Sequence, residues 1–134
     1  MNNSISDHEI LLSGYSIYRQ DRFGRTGGGT LIAIKNSLSS TEIAKPSEFS
    51  SIEVNLVEIF NLKNDRIVLI VNAYRPPDST DFVSKFSELL KSLTLKGYFS
   101  VILMGDFNFP NIQWVEGSGF SISSTGEDSK LKTC

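Results

Sequence analysis

The residues best suited to chemistry in this 134-residue chain lie in the segment LMGDFNFPNIQW. Asp106 and Asn108 follow the apolar run VILM and are two residues apart, so on an extended chain both can point into one cleft while Phe107 packs the other way. Gly105 allows the backbone to turn closely at this point. A carboxylate beside a carboxamide can orient a water molecule or bind Mg²⁺ through oxygen. The alternative is that both residues only begin a turn before Pro110.

Tyr74 and Arg75 form a second candidate pair, at the end of the segment RIVLIVNAYRPP. A phenol and a guanidinium at a strand end can both hydrogen-bond phosphate oxygens. The alternative is a tyrosine that fills one end of the fold, with a solvated Arg75 beside it.

A third candidate is the basic loop YRQDRFGRTGGG, which contains Arg19, Arg22 and Arg25. Arginines interleaved with aromatic residues suit a phosphate backbone, although such a run is also common in a solvated hairpin loop. The three glycines do not indicate a nucleotide-binding loop, because TLIAIK after them is typical of a strand where those motifs need a helix.

The remaining reactive residues support no site. Cys134 is the only cysteine, which excludes an internal disulfide and a multi-cysteine metal site. His8 is the only histidine, and no Ser/His/Asp arrangement can be named around it. Glu9 and Glu42 are not proposed as metal ligands. Trp114 is expected in the core or in a cleft wall.

Composition is that of an ordinary globular domain, with 40% apolar and 21% charged residues. The formal net charge of −2 means that a nucleic acid contact must come from a local basic cluster. The sequence has no apolar run of about 18 residues and no signal-peptide pattern at its start, which predicts an intracellular, soluble protein. It gives no indication of oligomeric state.

Several elements are predicted to position these residues. YSIYRQ and TLIAIKNSL are expected as strands, SSIEVNLVEIF as a half-buried strand by its alternation, and RIVLIVNAY as a buried strand paired with it in a hairpin. YFSVILMG is expected as a strand buried on both faces, and the residues after Trp114 as loop.

One amphipathic helix is predicted within DSTDFVSKFSELLKSL. Apolar side chains recur there at helical spacing: Phe82, Val83, Phe86, Leu89, Leu90 and Leu93. Asp78, Ser79 or Thr80 is expected to cap its start, and Gly97 lies just past its end. The order of elements predicts a mixed α/β domain over residues 1–116, with a loop-like, truncated tail over residues 117–134.

The ordered set SIYRQDR, GGGTLIAIK, VNAYRPP, an amphipathic helix and GDFNFPNIQW resembles the endonuclease/exonuclease/phosphatase superfamily. More narrowly it resembles the endonuclease domain of LINE-type (jockey-like) non-LTR retrotransposon polyproteins, which also contain a reverse transcriptase. The resemblance implies a four-layer α/β sandwich of the α+β type with its active site at one end. It implies Mg²⁺ or Mn²⁺ as cofactor, DNA as partner and, for an enzyme acting on chromosomes, a nuclear location.

The resemblance also implies roles for individual residues. Asp106 matches the family aspartate that orients or deprotonates the attacking water, and it can approach the metal through water. Asn108 matches the asparagine that holds the phosphate, and Tyr74 the tyrosine that binds the scissile phosphate. Arg19, Arg22, Arg25 and Arg75 are expected to contact DNA phosphates.

Part of the family pattern has no match in this sequence. The family asparagine and the metal-binding glutamate of its first strands would precede residue 1, and its later aspartate and Asp–His pair would follow residue 134. We therefore expect a sandwich that is incomplete at both ends, with little or no turnover on its own. A non-catalytic nucleic acid-binding remnant and a phosphatase of small phosphoesters are the alternatives.

Overall fold

A central four-stranded sheet positions the candidate residues. The computed structural model describes residues 12–22, 28–109, 112–114 and 121–123. Its elements, in chain order, are β1 (Tyr15–Asp21), β2 (Gly29–Lys35), β3 (Ser39–Glu42), a 3₁₀ turn (Ser47–Phe49), β4 (Glu53–Phe60), a second 3₁₀ turn (Lys63–Asp65), β5 (Val68–Tyr74), α1 (Phe82–Thr94), β6 (Ser100–Asp106), β7 (Ile112–Trp114) and β8 (Ser121–Ser123).

The central sheet has the strand order β3-β4-β5-β6. The β3–β4 and β4–β5 pairs are antiparallel, whereas β5 and β6 are parallel and are connected through α1. A separate antiparallel hairpin, β1–β2, and a short antiparallel pair, β7–β8, complete the described strands. The predicted β4–β5 hairpin is confirmed, and the parallel step makes the fold a mixed one.

The predicted helix is confirmed as α1, and its apolar stripe packs on one face of the central sheet. Five side chains of this stripe are buried, namely Phe82, Val83, Phe86, Leu89 and Leu93. The N-cap position is Asp81, which is none of the three residues predicted to cap the helix. Of those three, Ser79 contacts the first turn, since its Oγ accepts a hydrogen bond from the Phe82 backbone N–H at 3.3 Å. Gly97 follows the helix with φ +76°, as a residue past a helix end often requires.

The second face of the sheet packs against the β1–β2 hairpin. Ile32 and Ile34 of β2 form one buried cluster with Val57, Ile59 and Ile70 of the sheet. The prediction of a half-buried β4 is therefore wrong, because the hairpin covers the face that alternation assigned to solvent. Asn55 lies on that face at 2% exposure, and its amide donates to the Thr30 carbonyl at 3.0 Å.

The prediction that β6 is buried on both faces is also wrong. Ile102, Leu103 and Met104 are 43–45% exposed, because β6 is paired on only one side, by β5, within the described residues. The structure also has strand β8 at residues that the sequence predicted as loop. Strand β3 was not predicted either, because this short polar segment has no hydrophobic periodicity.

The described residues build three layers: α1, the central sheet and the β1–β2 hairpin. This arrangement confirms the α+β class that the sequence predicted. The described residues form three layers, whereas the resemblance implied four. Within this part of the chain, no helix is long and apolar enough to cross a membrane.

Candidate active site

A row of three polar side chains crosses the end of the central sheet. In the register of the sheet Glu53 pairs with Tyr74, and Tyr74 pairs with Asp106. Residues paired in this way present their side chains on one face, which here is the face toward the β1–β2 hairpin. The sheet therefore brings together Tyr74 and Asp106, which are 32 positions apart in the sequence.

Asp106 and Asn108 form a tight turn directly after β6. The Asn108 backbone N–H donates to Asp106 Oδ1 at 3.1 Å, and Asn108 has a φ of +47°. An aspartate that accepts from the second residue after it is typical of a turn, so the turn that the sequence offered as the alternative is present. That the two side chains point into one cleft stays a prediction. The Asp106 side chain is exposed, which leaves its carboxylate accessible from solvent.

Phe107 anchors this turn to the helix side of the sheet. Its ring lies 6.4 Å from the Phe82 ring and 5.8 Å from the Phe86 ring, between ring centroids. The prediction that Phe107 packs away from its two polar neighbours is confirmed. Such aromatic pairs, which bury large rings in defined geometries, fix the position of Asp106 relative to α1.

Arg22 reaches the same row from the end of β1. Its Nε donates to both oxygens of Glu53, at 2.9 and 3.2 Å, and its guanidinium lies over the Tyr74 ring at 4.4 Å from the centroid. The interaction with Tyr74 raises the pKa of Arg22; burial opposes this and Glu53 adds to it. Arg22 is therefore a fixed cation that covers one face of the tyrosine.

Gly28 provides the room for this arginine. A Cβ atom at Gly28, where φ is +86°, would lie 3.2 Å from the Arg22 Cζ atom. At least one glycine of the GGG run thus has a local role beside the Arg22 guanidinium, apart from shaping the hairpin turn.

The other predicted phosphate-binding arginines are placed differently. Arg19 pairs with Asp21 at 2.7 Å. Arg25 lies outside the described residues. Arg75 is only 7% exposed, and its guanidinium donates to the Asn108 carbonyl at 3.1 Å and to the Ser79 carbonyl at 2.9 Å. The prediction that Arg75 contacts a DNA phosphate, like the alternative that it is solvated, does not fit this burial.

Glu53 is the site residue that sequence reasoning missed. Its alternation with Val54 assigned it to an exposed face, and only the β4–β5 register places it beside Tyr74. Lys45 also lies near it: burial lowers the pKa of Lys45, and the Glu53 charge offsets part of that shift. The register of a hairpin is the signal that would have identified Glu53.

The donor set at this end of the sheet fits a Mg²⁺ ion bound through one protein carboxylate. Asp106 offers an exposed carboxylate and Asn108 an amide, whereas the Glu53 carboxylate is bound by Arg22. In residues 12–22, 28–109, 112–114 and 121–123, no three His, Cys, Asp or Glu side chains are grouped to hold a metal. Mg²⁺ in proteins commonly has one or two carboxylate ligands and completes its shell with water and phosphate oxygens.

His8, Glu9 and Cys134 lie outside the described residues. Glu42, at the exposed end of β3, is in none of the contacts described above. For Trp114 the structure describes the backbone, as the last residue of β7, so its predicted place in the core or cleft wall stays a prediction.

Comparisons with known proteins point in one direction. A family model described as endonuclease–reverse transcriptase matches residues 68–134, which is half of the chain. The fold is similar to the solved endonuclease domain of TRAS1, a telomere-specific non-LTR retrotransposon, with a TM-score of 0.55 and 13% sequence identity. That likeness covers 83% of this chain and 50% of the solved one, so the chain spans about half of the solved structure's length. None of the curated proteins compared matches the sequence.

Proposed function

The chain belongs to the endonuclease–reverse transcriptase family, and on that premise we propose that it acts on DNA as a metal-dependent endonuclease. The observation that carries the proposal is the row in which Tyr74 and Asp106 are neighbours, with Asn108 hydrogen-bonded to Asp106 in the following turn. The reaction is hydrolysis of a phosphodiester that leaves a nick in a duplex.

Four residues at this end of the sheet have roles that their chemistry permits. The Asp106 carboxylate orients a water molecule toward phosphorus and accepts its proton. The Tyr74 phenol donates to an oxygen of the scissile phosphate, and the Asn108 amide holds the same group. Arg22, fixed over Tyr74, places a positive charge beside the phosphate.

Mg²⁺, or Mn²⁺ in its place, is the cofactor that we propose, and Asp106 would be the carboxylate that holds it through water. When bound, such an ion neutralises charge on the phosphate and lowers the pKa of a coordinated water. DNA is the partner, and a nuclear location follows if the substrate is chromosomal.

Nicking of supercoiled plasmid by the purified 134-residue chain tests this proposal. We expect slow conversion to open circles with Mg²⁺ and none with EDTA, at a rate proportional to protein concentration. Conversion that persists in EDTA would reject a metal-dependent endonuclease. Hydrolysis of a soluble phosphoester without any nicking of DNA would also reject an endonuclease and would favour a phosphatase. A folded chain that binds DNA with no nicking at all would leave the non-catalytic binding function.

Arg22 should contribute one phosphate contact to DNA binding. The Arg22→Gln substitution is expected to weaken DNA binding. It should also make the slope of log K, where K is the association constant, against log salt concentration less steep by about one. Fluorescence anisotropy with a labelled duplex at several salt concentrations measures this. The matched control is Arg66→Gln, because Arg66 precedes β5 at the opposite end of the sheet and lies over Phe99. An equal slope change in both variants would contradict a specific role for Arg22.

A further inference from the structure

We infer that Arg75 is a positioning residue that fixes the Asp106–Asn108 turn, and that it does not contact substrate. This inference rests on the proposed function, since the turn it fixes carries two of the proposed functional residues. It replaces the role in phosphate binding that the sequence suggested for Arg75.

The two segments are connected by hydrogen bonds in both directions. The Asn108 side chain donates from Nδ2 to the Arg75 carbonyl at 2.7 Å, and Arg75 Nη1 donates to the Asn108 carbonyl at 3.1 Å. The Arg75 backbone N–H also donates to the Asp106 carbonyl at 2.9 Å. We call these three bonds the Arg75–Asn108 bridge.

The same guanidinium reaches a third segment. Its Nη2 donates to the Ser79 carbonyl at 2.9 Å, just before α1, and its Cζ lies 4.4 Å from the centroid of the Phe109 ring. A buried guanidinium is costly unless its donors are satisfied, and here two carbonyls accept from it. Arg75 thus joins the end of β5, the start of the helix region and the turn after β6.

The bridge determines which atoms of Asn108 can meet a substrate. A carboxamide has one oxygen and two N–H donors, and one donor is used on the Arg75 carbonyl. The amide plane is therefore set, with its oxygen and its second N–H left to face a phosphate or a water. Asn108 also has a positive φ of +47°, a left-handed conformation that asparagine adopts more readily than most residues.

Arg75→Lys and Arg75→Gln separate positioning from phosphate binding. Lysine keeps the charge but lacks the planar fork that serves Asn108 and Ser79 together, whereas glutamine removes the charge as well. Positioning predicts that both variants lower kcat by about 10- to 100-fold with KM within about twofold. It also predicts that Arg75→Gln leaves the salt slope of DNA binding unchanged. A phosphate contact predicts rescue by lysine and a slope lower by about one in Arg75→Gln; that result would overturn the inference.

A second measurement does not depend on nicking. In the ¹⁵N-labelled chain, loss of the guanidinium bond to the Asn108 carbonyl should shift the backbone amide signals of residues 108 and 109 in Arg75→Lys. Arg66→Lys is the matched control, since Arg66 is exposed at the other end of β5 and stacks on Phe99. If these signals are equally unchanged in both folded variants, the guanidinium has no role in holding the Asp106–Asn108 turn, and the inference is refuted. If the wild type fails to nick or bind DNA, the proposed function fails while these signals still decide the role of Arg75.

Discussion

Asp106→Asn is expected to reduce metal-dependent nicking by about 100-fold or more. The substitution removes the charge that attracts Mg²⁺ and the base that accepts a proton. Because an asparagine at this position retains an oxygen that can accept from the Asn108 N–H, the turn and the fold should persist. Initial rates of plasmid nicking over a range of Mg²⁺ concentrations measure the effect. A second readout is the NMR spectrum of the ¹⁵N-labelled chain with Mn²⁺ added. Because Mn²⁺ is paramagnetic, it should broaden the amide signals of residues 106–108 in the wild type and not in Asp106→Asn.

Asp65→Asn is the matched control for this experiment. Asp65 is an exposed aspartate in the turn before β5, whereas Asp106 is paired with the last residue of that strand. The same change of charge at the opposite end of the sheet should leave both nicking and Mn²⁺ broadening at the wild-type level. Full activity in Asp106→Asn, or an equal loss in the two variants, would exclude Asp106 as a catalytic residue.

The sequence predicted the elements whose signal is local. Helix α1 follows from apolar residues that recur every three or four positions, since one such stripe must be buried. Asp106 and Asn108 were identified because they end an apolar strand, where a side chain leaves the core and reaches the sheet edge. The Phe107 contact with the helix follows from the same alternation.

The features that the sequence did not predict depend on distant partners. The alternation along β4 predicts that Glu53 and Asn55 lie on a solvent-exposed face. That face is covered because the β1–β2 hairpin packs against it. The apolar side chains of β6 suggest burial, but burial depends on a neighbouring strand that the apolar pattern does not specify. Arg75 was expected to contact a phosphate, with a solvated arginine as the alternative, and its burial depends on the carbonyls of two other segments. A local sequence pattern predicts on which face of an element a side chain lies. Whether that face is buried or exposed depends on the tertiary packing of other segments.

Gly105→Ala is expected to lower the free energy of unfolding by about 3 kcal/mol or more, because two independent costs coincide there. Gly105 has a φ of +146°, which residues with a Cβ avoid, and it pairs with Ala73 across β5 and β6. A Cβ at Gly105 would overlap the Ala73 carbonyl oxygen, which belongs to the backbone and cannot rotate away. Denaturant unfolding followed by circular dichroism measures the change.

Gly97→Ala separates the two costs of that substitution. Gly97 also has a positive φ, +76°, but a Cβ there would meet nothing within 4 Å, so its variant should lose only about 1 kcal/mol from backbone strain. A similar loss in both variants would show that β6 moves to accept the methyl group. Because Gly105 directly precedes Asp106, such a movement would displace the carboxylate from Tyr74, and nicking would fall in Gly105→Ala even where the chain remains folded. The glycine would then be required for the geometry of the site as well as for stability, since the close approach of β6 to β5 at Gly105 comes directly before the residue that pairs with Tyr74.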